Sequence, residues 1–301
     1  TKDSWFGDYF EDIMIFIKAI PKLGYEFSDW SGDVNESSNE IFINPIGLDS
    51  FTIILGTFAF GIQIYGDFSG YSDIAIGAAL ILGFKLPINF NKPYFASSPS
   101  DFWKKWHISL SRWLRDYFYI PLGGNKKSRD RTYLNLMTVM FFGGLWHGAS
   151  VNFIIWGLLH GGYLAIHKII ENKFPGLTKH SFFKSKKGKI ISIFITQYFV
   201  FLAWIPFRVK DIDYMFYSMS KYILLDFEVI GTLEFISSHK VPFLLMLIFI
   251  AINYFSYRHG NLLQSISNLK IKYWFIFIFV TILAILFMYD GNSEMFVYFQ
   301  F

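Results

Sequence analysis

A series of apolar segments, each close to the length that crosses a lipid bilayer, constrains this chain more than any other feature. A bilayer core takes about 20 apolar residues per helix. Such segments lie at 51–69, 72–86, 132–149, 151–169, 190–207, 241–257 and 273–290. They predict an all-α fold, a polytopic transmembrane helical bundle with about seven spans. The shorter segments that carry Gly, His or Asp are interpreted as re-entrant or tilted elements.

Charge and cysteine content narrow the class of protein further. Only 17% of the residues are charged, against about a quarter in soluble domains, and the absence of Cys excludes disulfides and thiol nucleophiles. The basic residues fall mostly in the connections 85–131, 179–189 and 257–272. We therefore interpret the net charge of +4 as a consequence of membrane topology, with basic residues concentrated on one side, and we expect no nucleic-acid partner. The basic connections are predicted to face the cytoplasm, and the acidic loop 211–236 and the tail after Asp290 to face outward, with 132–169 as a helical hairpin.

The N-terminal part of the chain carries little pattern. Residues 1–50 are treated as an uncertain segment and 51–301 as one membrane core. The chain starts at Thr1 with no Met, basic n-region or cleavage site, which predicts a truncated or processed start and no signal peptide at this position.

The stretch SPSDFWKKWHISLSRWLRDYFYIPLGGN, residues 98–125, predicts an amphipathic helix. Ser98, Pro99 and Asp101 form a capping-box-like start, and the helix is expected to run to about Tyr119. At 100° per residue one face holds Trp103, Trp106, Leu110, Trp113, Leu114 and Tyr117, and the opposite face holds Lys104, Lys105, Arg112 and Arg115. Such a helix lies at the membrane surface, where its cations can meet lipid phosphates or an anionic ligand. The alternative is a membrane-surface helix with no role in substrate binding.

Two histidines of the chain are functional candidates because of their positions. One lies inside an apolar run, where a charged side chain is costly, and the other lies at the edge of an aromatic helix face. His147 lies in the apolar run 137–162, which makes it a functional candidate, and Gly143 and Gly144 open a slot beside its ring. A substrate or another helix backbone can fill that slot. His107 lies at the edge of the aromatic face, where an interfacial residue bonded to water is the alternative reading.

Other polar residues are weaker candidates. His160, between glycines, is either a second polar group of the same cavity or a partner of a neighbouring helix. Asp67 and Asp73, in QIYGDFSGYSDIAIG (63–77), can orient a histidine, hold a break between two helices or lie at the interface. His167, His180, His239 and His259 fit ordinary interfacial or solvated positions. Because the chain has no HExxH spacing, we expect no metal site, and it also lacks the GxSxG, Walker A and GxGxxG patterns.

Three stretches together resemble the membrane-bound O-acyltransferase family. They are residues 63–77, residues 86–125 and GGLWHGASVNFIIWGLLHG (143–161), and the dense likeness covers about 63–168. The alginate O-acetylation branch is the most similar, and MFVYFQF (295–301) resembles that branch's C-terminus, so we expect an intact C-terminal end. The family's N-terminal helices are not recognisable before about residue 50.

The resemblance implies a chemistry and assigns roles to residues. It implies transfer of an acyl group, in this branch acetyl, from a thioester such as acetyl-CoA to hydroxyls of an extracytoplasmic polysaccharide. His147 matches the family's catalytic histidine, the expected general base, and His107 matches a second polar position that supplies a hydrogen bond or positions the donor. Substrate contacts are expected from the four cations of the helix and from Trp106, Asp73 and His160.

The resemblance also implies partners and a location, and it leaves alternatives open. It implies no tightly bound cofactor, the bacterial cytoplasmic membrane, and membrane lipid and a second extracytoplasmic acetyltransferase or polymer-export complex as partners. D-alanyl transfer to teichoic acid is the alternative within the family. Intramembrane histidines also occur in transporters and flippases, and a non-catalytic scaffold of an export complex is a third reading.

Overall fold

A computed structural model describes residues 45–178, 180–259 and 268–288, and every regular element in these ranges is helical. The longer helices are α1 (Ser50–Ile81), α4 (Arg129–His147), α5 (Val151–Lys173), α8 (Lys186–Arg208), α11 (Lys240–His259) and α12 (Ile271–Met288). The shorter ones are α2 (Pro99–Trp103), α3 (Ile108–Leu114), α6 (Pro175–Thr178), α7 (Ser181–Lys184), α9 (Ile212–Ile223) and α10 (Ile230–Ser238). The predicted all-α membrane fold is confirmed. Residues 1–44 and 289–301, which include the uncertain segment and the C-terminal motif, lie outside the described residues.

Four of the described helices, α1, α5, α8 and α11, are long and apolar enough to cross a membrane, and the apolar part of α12 is shorter. The expectation of about seven spans is therefore too high for the part of the chain that the structure describes. The predicted spans 51–69 and 72–86 are wrong as separate units, because α1 continues from the first into the second without a break and ends at Ile81. At 1.5 Å per residue α1 is about 48 Å long, more than the roughly 30 Å of a bilayer core.

Polar residues begin most of these helices. Asp49 accepts a hydrogen bond from the Thr52 backbone N–H at 2.7 Å at the start of α1. Ser128, Ser150 and Ser185 cap α4, α5 and α8 in the same way. Such caps satisfy N–H groups that a helix leaves unpaired at its start, each contributing about 1 kcal/mol.

The helices α4 and α5 form an antiparallel hairpin joined by residues 148–150, so the predicted hairpin is confirmed. Gly144 of α4 and Gly157 of α5 face each other at the crossing, where a Cβ on either residue would overlap a backbone carbonyl of the other helix. Helix α8 packs against α5 and α1. Trp106, Trp156, Phe201 and Trp204 belong to the core that these helices share.

The connection 211–236, predicted as a loop, contains α9 and α10. Helix α9 folds back along α8, and its Met215 is fully buried. Tyr198 and Tyr222 bind each other's backbone carbonyls with their hydroxyl groups, at 3.4 and 3.1 Å. The acidic composition indicated an exposed segment, but the apolar face of α9 is buried. The sides of the membrane assigned to these connections stay a prediction.

Candidate functional site

The predicted helix 99–119 is broken at His107. Helix α2 begins as expected, with the Ser98 hydroxyl accepting a hydrogen bond from the Asp101 backbone N–H at 3.1 Å, but it ends at Trp103. His107 has a left-handed backbone conformation (φ 41°, ψ 58°) and begins α3. Residues 115–119 then form a π-helical turn. The prediction of one continuous helix is therefore wrong, and the two faces that it defined are divided by the break.

Asn89, in an extended segment that follows α1, holds the break in place. Its backbone carbonyl accepts a hydrogen bond from the Ile108 N–H at 3.0 Å. Its side-chain Oδ1 accepts from the Ser109 hydroxyl at 2.6 Å and from the Ser109 N–H at 3.3 Å. The Asn89 Nδ2 donates to Ser72 Oγ of α1 at 3.4 Å. Ser109 Oγ is in turn 3.4 Å from His107 Nδ1. A chain of polar groups therefore runs from α1 to the His107 ring.

The His107 ring is buried among aromatic side chains. It is 8% exposed and makes edge contacts with Phe68 and Trp146, at centroid distances of 4.8 and 5.9 Å. Burial disfavours the charged imidazolium and lowers the pKa of His107 to about 4. The ring is therefore neutral at physiological pH, and the interfacial, water-bonded reading of this residue is wrong.

The lowered pKa of His107 predicts that the folded protein loses stability as the pH falls. The unfolded chain takes up this proton near pH 6.5 and the folded protein only near pH 4, so the stabilisation is complete above pH 6.5 and is lost as the pH falls toward 4. We expect this residue alone to remove about 2 kcal/mol between pH 7.5 and 5. Thermal unfolding in detergent at both pH values measures the effect.

The control for this prediction is His107→Asn, because asparagine tolerates the left-handed conformation and does not titrate in this range. The variant should lose less stability than the wild type on acidification. Equal losses in the two proteins would contradict the assignment of the acid sensitivity to His107.

His147 is the last residue of α4, next to the turn into α5. The residue as a whole is partly exposed, and its ring makes edge contacts with Trp146, Trp156 and Phe207, at centroid distances of 4.8, 5.0 and 4.9 Å. Because Trp146 contacts both His107 and His147, the structure brings the two predicted histidines to one place.

The predicted slot beside His147 is filled at Gly144. A Cβ on Gly144 would overlap the Phe153 carbonyl of α5, so the missing side chain allows two helix backbones to approach each other. At Gly143 a Cβ would lie 3.4 Å from the Leu114 side chain of α3. A helix backbone, and not a substrate, therefore fills this slot. A substrate must approach His147 from another side.

His160 is 1% exposed and lies on α5, between α2 and α4. Its ring stacks on Phe102 and makes edge contacts with Trp103 and Trp156. Trp156 also contacts His147, so one indole joins the two histidines. The structure therefore places His160 in the same cluster as His147, one aromatic ring farther from the surface.

The predicted substrate contacts are not all in positions to meet a ligand. Trp106 is 2% exposed and belongs to the core, and its contact with a substrate stays a prediction. Lys105 and Arg115 form ion pairs with Asp101 and Asp116, at 2.9 and 2.7 Å. Lys104 is exposed directly after α2, and Arg112 is exposed in the last turn of α3.

Asp73, another predicted contact, is exposed on α1. Because α1 continues through Asp67 and Asp73, the hypothesis that these carboxylates hold a break between two helices is wrong. The stretch that contains them supports the site through Ser72 and Phe68 instead. Sequence reasoning missed Asn89, and the two asparagines between prolines in PINFNKP (87–93) were the available signal.

A cavity of about 670 Å³ lies among α1, α8 and α11. Its walls are mostly apolar, including Phe58, Phe199 and Phe249, and its lining does not include the three histidines. Such walls suit hydrocarbon and not phosphate. In the ranges that the structure describes, no group of three His, Asp or Glu residues could hold a metal ion.

The sequence of this chain is similar to a known protein family and to several known proteins. The family model of the membrane-bound O-acyltransferases matches residues 48–210. The peptidoglycan O-acetyltransferase of Helicobacter pylori is 48% identical over 155 residues, 52% of this chain and 28% of that protein. The probable alginate O-acetylase AlgI of Pseudomonas aeruginosa is 46% identical over 171 residues, 56% of this chain and 30% of that protein.

A further relative is less similar. The teichoic acid D-alanyltransferase of Bacillus subtilis is 31% identical over 186 residues, 57% of this chain and 46% of that protein. The chain thus spans about 30% of the length of the acetyltransferase relatives. The family match includes α1 to α8 and all three clustered histidines. It covers more than half of the chain, which therefore belongs to the membrane-bound O-acyltransferase family.

Proposed function

We propose that this chain belongs to an enzyme that moves an acetyl group from a thioester donor toward the hydroxyl groups of an extracytoplasmic polysaccharide. The observation that carries the proposal is the cluster of His107, His147 and His160 inside the family-matched region. Multi-pass membrane character and family membership limit the setting to a membrane acyl transfer. We place the enzyme in the bacterial cytoplasmic membrane.

In the proposed reaction His147 is the general base. It takes the proton of the acceptor hydroxyl as the oxygen attacks the thioester carbonyl, and a tetrahedral intermediate forms. The C–S bond then breaks, and the same imidazolium returns the proton to the departing thiolate. The ester and the free thiol are the products, so no external proton or electron is needed. Because His147 is partly exposed as a residue, we place the substrate beside it and not beside His160, which is 1% exposed.

His107 positions a substrate in this proposal. The Ser109 hydroxyl donates its only proton to Asn89, so Ser109 Oγ accepts from His107 Nδ1–H. That tautomer leaves Nε2 as the acceptor nitrogen. With Nε2 as a hydrogen-bond acceptor, His107 suits the hydroxyl group that receives the acyl group, or an N–H group of the thioester donor. A developing oxyanion needs a hydrogen-bond donor instead. Of the two roles expected from the sequence, this favours the positioning of a substrate.

Two exposed cations, Lys104 after α2 and Arg112 in the last turn of α3, are the proposed contacts for phosphate groups. Phosphates of the thioester donor or of lipid headgroups are the proposed ligands. Lys105 and Arg115 are less available because a carboxylate neutralises each of them. A second extracytoplasmic acetyltransferase or an export complex is the proposed partner that receives the acetyl group outside.

Acetyl transfer is preferred to D-alanyl transfer because the two acetyltransferase relatives are 48% and 46% identical, against 31% for the D-alanyltransferase. The test compares cells that carry the intact gene with cells that lack it. Acetyl groups on exopolysaccharide and peptidoglycan and D-alanine on teichoic acid are quantified by NMR. Loss of O-acetyl groups supports the proposal, loss of D-alanine supports the alternative, and loss of neither overturns both.

Transport and scaffolding are separated from transfer by a second measurement. Membranes that contain the protein are supplied with a labelled acetyl thioester, and the labelled acetyl esters that form, on polysaccharide or on any other hydroxyl acceptor, are counted. An acyltransferase forms labelled ester in proportion to its amount. A transporter or a scaffold forms none without a separate transferase, and that result would overturn the proposed activity.

A further inference from the structure

Four buried polar atoms without a hydrogen-bond partner belong to His160 and to three aromatic residues that pack against its ring. They are Trp103 Nε1, Trp156 Nε1, His160 Nε2 and Tyr163 Oη. The His160 ring contacts each of the other three rings, at centroid distances of 5.1 Å to Trp103, 4.8 Å to Trp156 and 5.7 Å to Tyr163. The four residues join α2 to α5 in the core of the bundle.

Burial without a partner is costly for such groups. Each unsatisfied donor or acceptor costs about 1–3 kcal/mol, and four in one place make a large penalty for a single core. An indole N–H is a donor only, whereas a neutral histidine has one acceptor nitrogen and a tyrosine hydroxyl can do both. An oxygen atom that accepts from an indole and donates to His160 would satisfy several of these groups. A buried water molecule makes about three such bonds.

Trp156 connects this polar cluster to the proposed base. Its indole makes an edge contact with His147, with an interplanar angle of 86°, and another with His160, at 64°. A hydrogen bond from its Nε1 would fix the rotation of the indole plane, and the indole edge in turn limits the orientations of the His147 ring.

We propose that a buried water molecule joins His160, Trp156 and their neighbours, and that His160 is a positioning residue that orients His147 through Trp156. This inference rests on the proposed function. The competing reading is that His160 is an aromatic filler, since its ring stacks on Phe102 at 9°. A phenylalanine would fill the same space.

His160→Phe separates the two readings, because it keeps the ring and the stack on Phe102 and removes both ring nitrogens. We expect the variant to fold, with its melting temperature unchanged or higher, while kcat falls about ten- to a hundredfold and KM changes less than about twofold. His160→Gln, which restores a polar group, should recover part of kcat. The control is His167→Phe on the same helix, where the ring is partly exposed and the activity should not change.

The second readout does not depend on activity. The protein is labelled with ¹⁵N-histidine, and the ring signals of His147 are assigned from their loss in His147→Gln. We expect His160→Phe to shift these signals, because the tautomer and orientation of His147 change. A folded His160→Phe variant with wild-type kcat and unshifted His147 signals would overturn the inference. If His147→Gln proves fully active, the proposed function fails, and the ring signals still decide the positioning role.

Discussion

Replacing His147 with alanine is expected to lower the rate of acyl transfer by about two to four orders of magnitude, the usual contribution of a general base. The reason is specific to the site. The imidazole lies at the end of α4 in a residue that is partly exposed, so we expect a hydroxyl to reach it, and its neighbours include the rings of Trp146, Trp156 and Phe207. These rings offer no second base. Transfer from a labelled acetyl thioester, normalised to the amount of folded protein, measures the effect.

Alanine also removes packing against Trp156 and Phe207, so a variant that keeps volume is needed as well. His147→Gln fills much of the space and retains hydrogen bonding but is not a base near neutral pH. Both variants should be inactive while the control His167→Ala is active. If His147→Gln is folded and transfers acetyl at the wild-type rate, His147 is not the base.

The prediction of two short spans in place of α1 failed for a local reason. Gly66 and Gly70 beside Asp67 and Asp73 are typical of a helix break, because glycine weakens helices and a carboxylate is costly in lipid. In the structure, a Cβ on Gly66 or Gly70 would meet nothing within 4 Å, and the helix continues through both. Asp73 is exposed, so the helix did not have to end to keep it out of the core.

The break at His107 could not be predicted, because the sequence there looks like a continuous helix. The spacing of Trp103, Trp106, Leu110 and Trp113 fits one helix, and the sequence contains no glycine or proline at the break. The hydrogen bonds that compensate for it come from Asn89, about 20 residues earlier in the chain. Such non-local partners override helix propensity, and a periodicity cannot show them.

Sequence reasoning identified the histidines but not their arrangement. His147 was found because an ionisable residue in an apolar run needs a reason. That Trp146 contacts both His107 and His147, and that Trp156 contacts both His147 and His160, follows only from the packing of three helical segments. Glycines near His147 were compatible with a substrate slot or with helix packing, and only the backbone approach at Gly144 decides between them.

The second large effect is expected at the crossing of the hairpin that carries His147 and His160. A Cβ on Gly157 would overlap the Met140 carbonyl, and backbone cannot move aside as a flexible side chain can. Gly157→Leu must therefore push α4 and α5 apart, which separates Trp156 from the rings around it. Overpacking of a core costs about 1–3 kcal/mol, and we expect the upper end of this range or more, because a backbone contact is involved.

Gly162→Leu is the matched control, since it lies five residues later on the same helix and a Cβ there would meet nothing within 4 Å. Thermal unfolding in detergent should show a large loss of stability for Gly157→Leu and little change for Gly162→Leu. Acyl transfer should fall with the first variant even at temperatures where it stays folded, because the histidines of the two helices no longer share Trp156. Equal stability of the two variants would mean that the helices do not cross at Gly144 and Gly157. A stable Gly157→Leu protein with full activity would further mean that the site does not depend on how closely α4 and α5 approach.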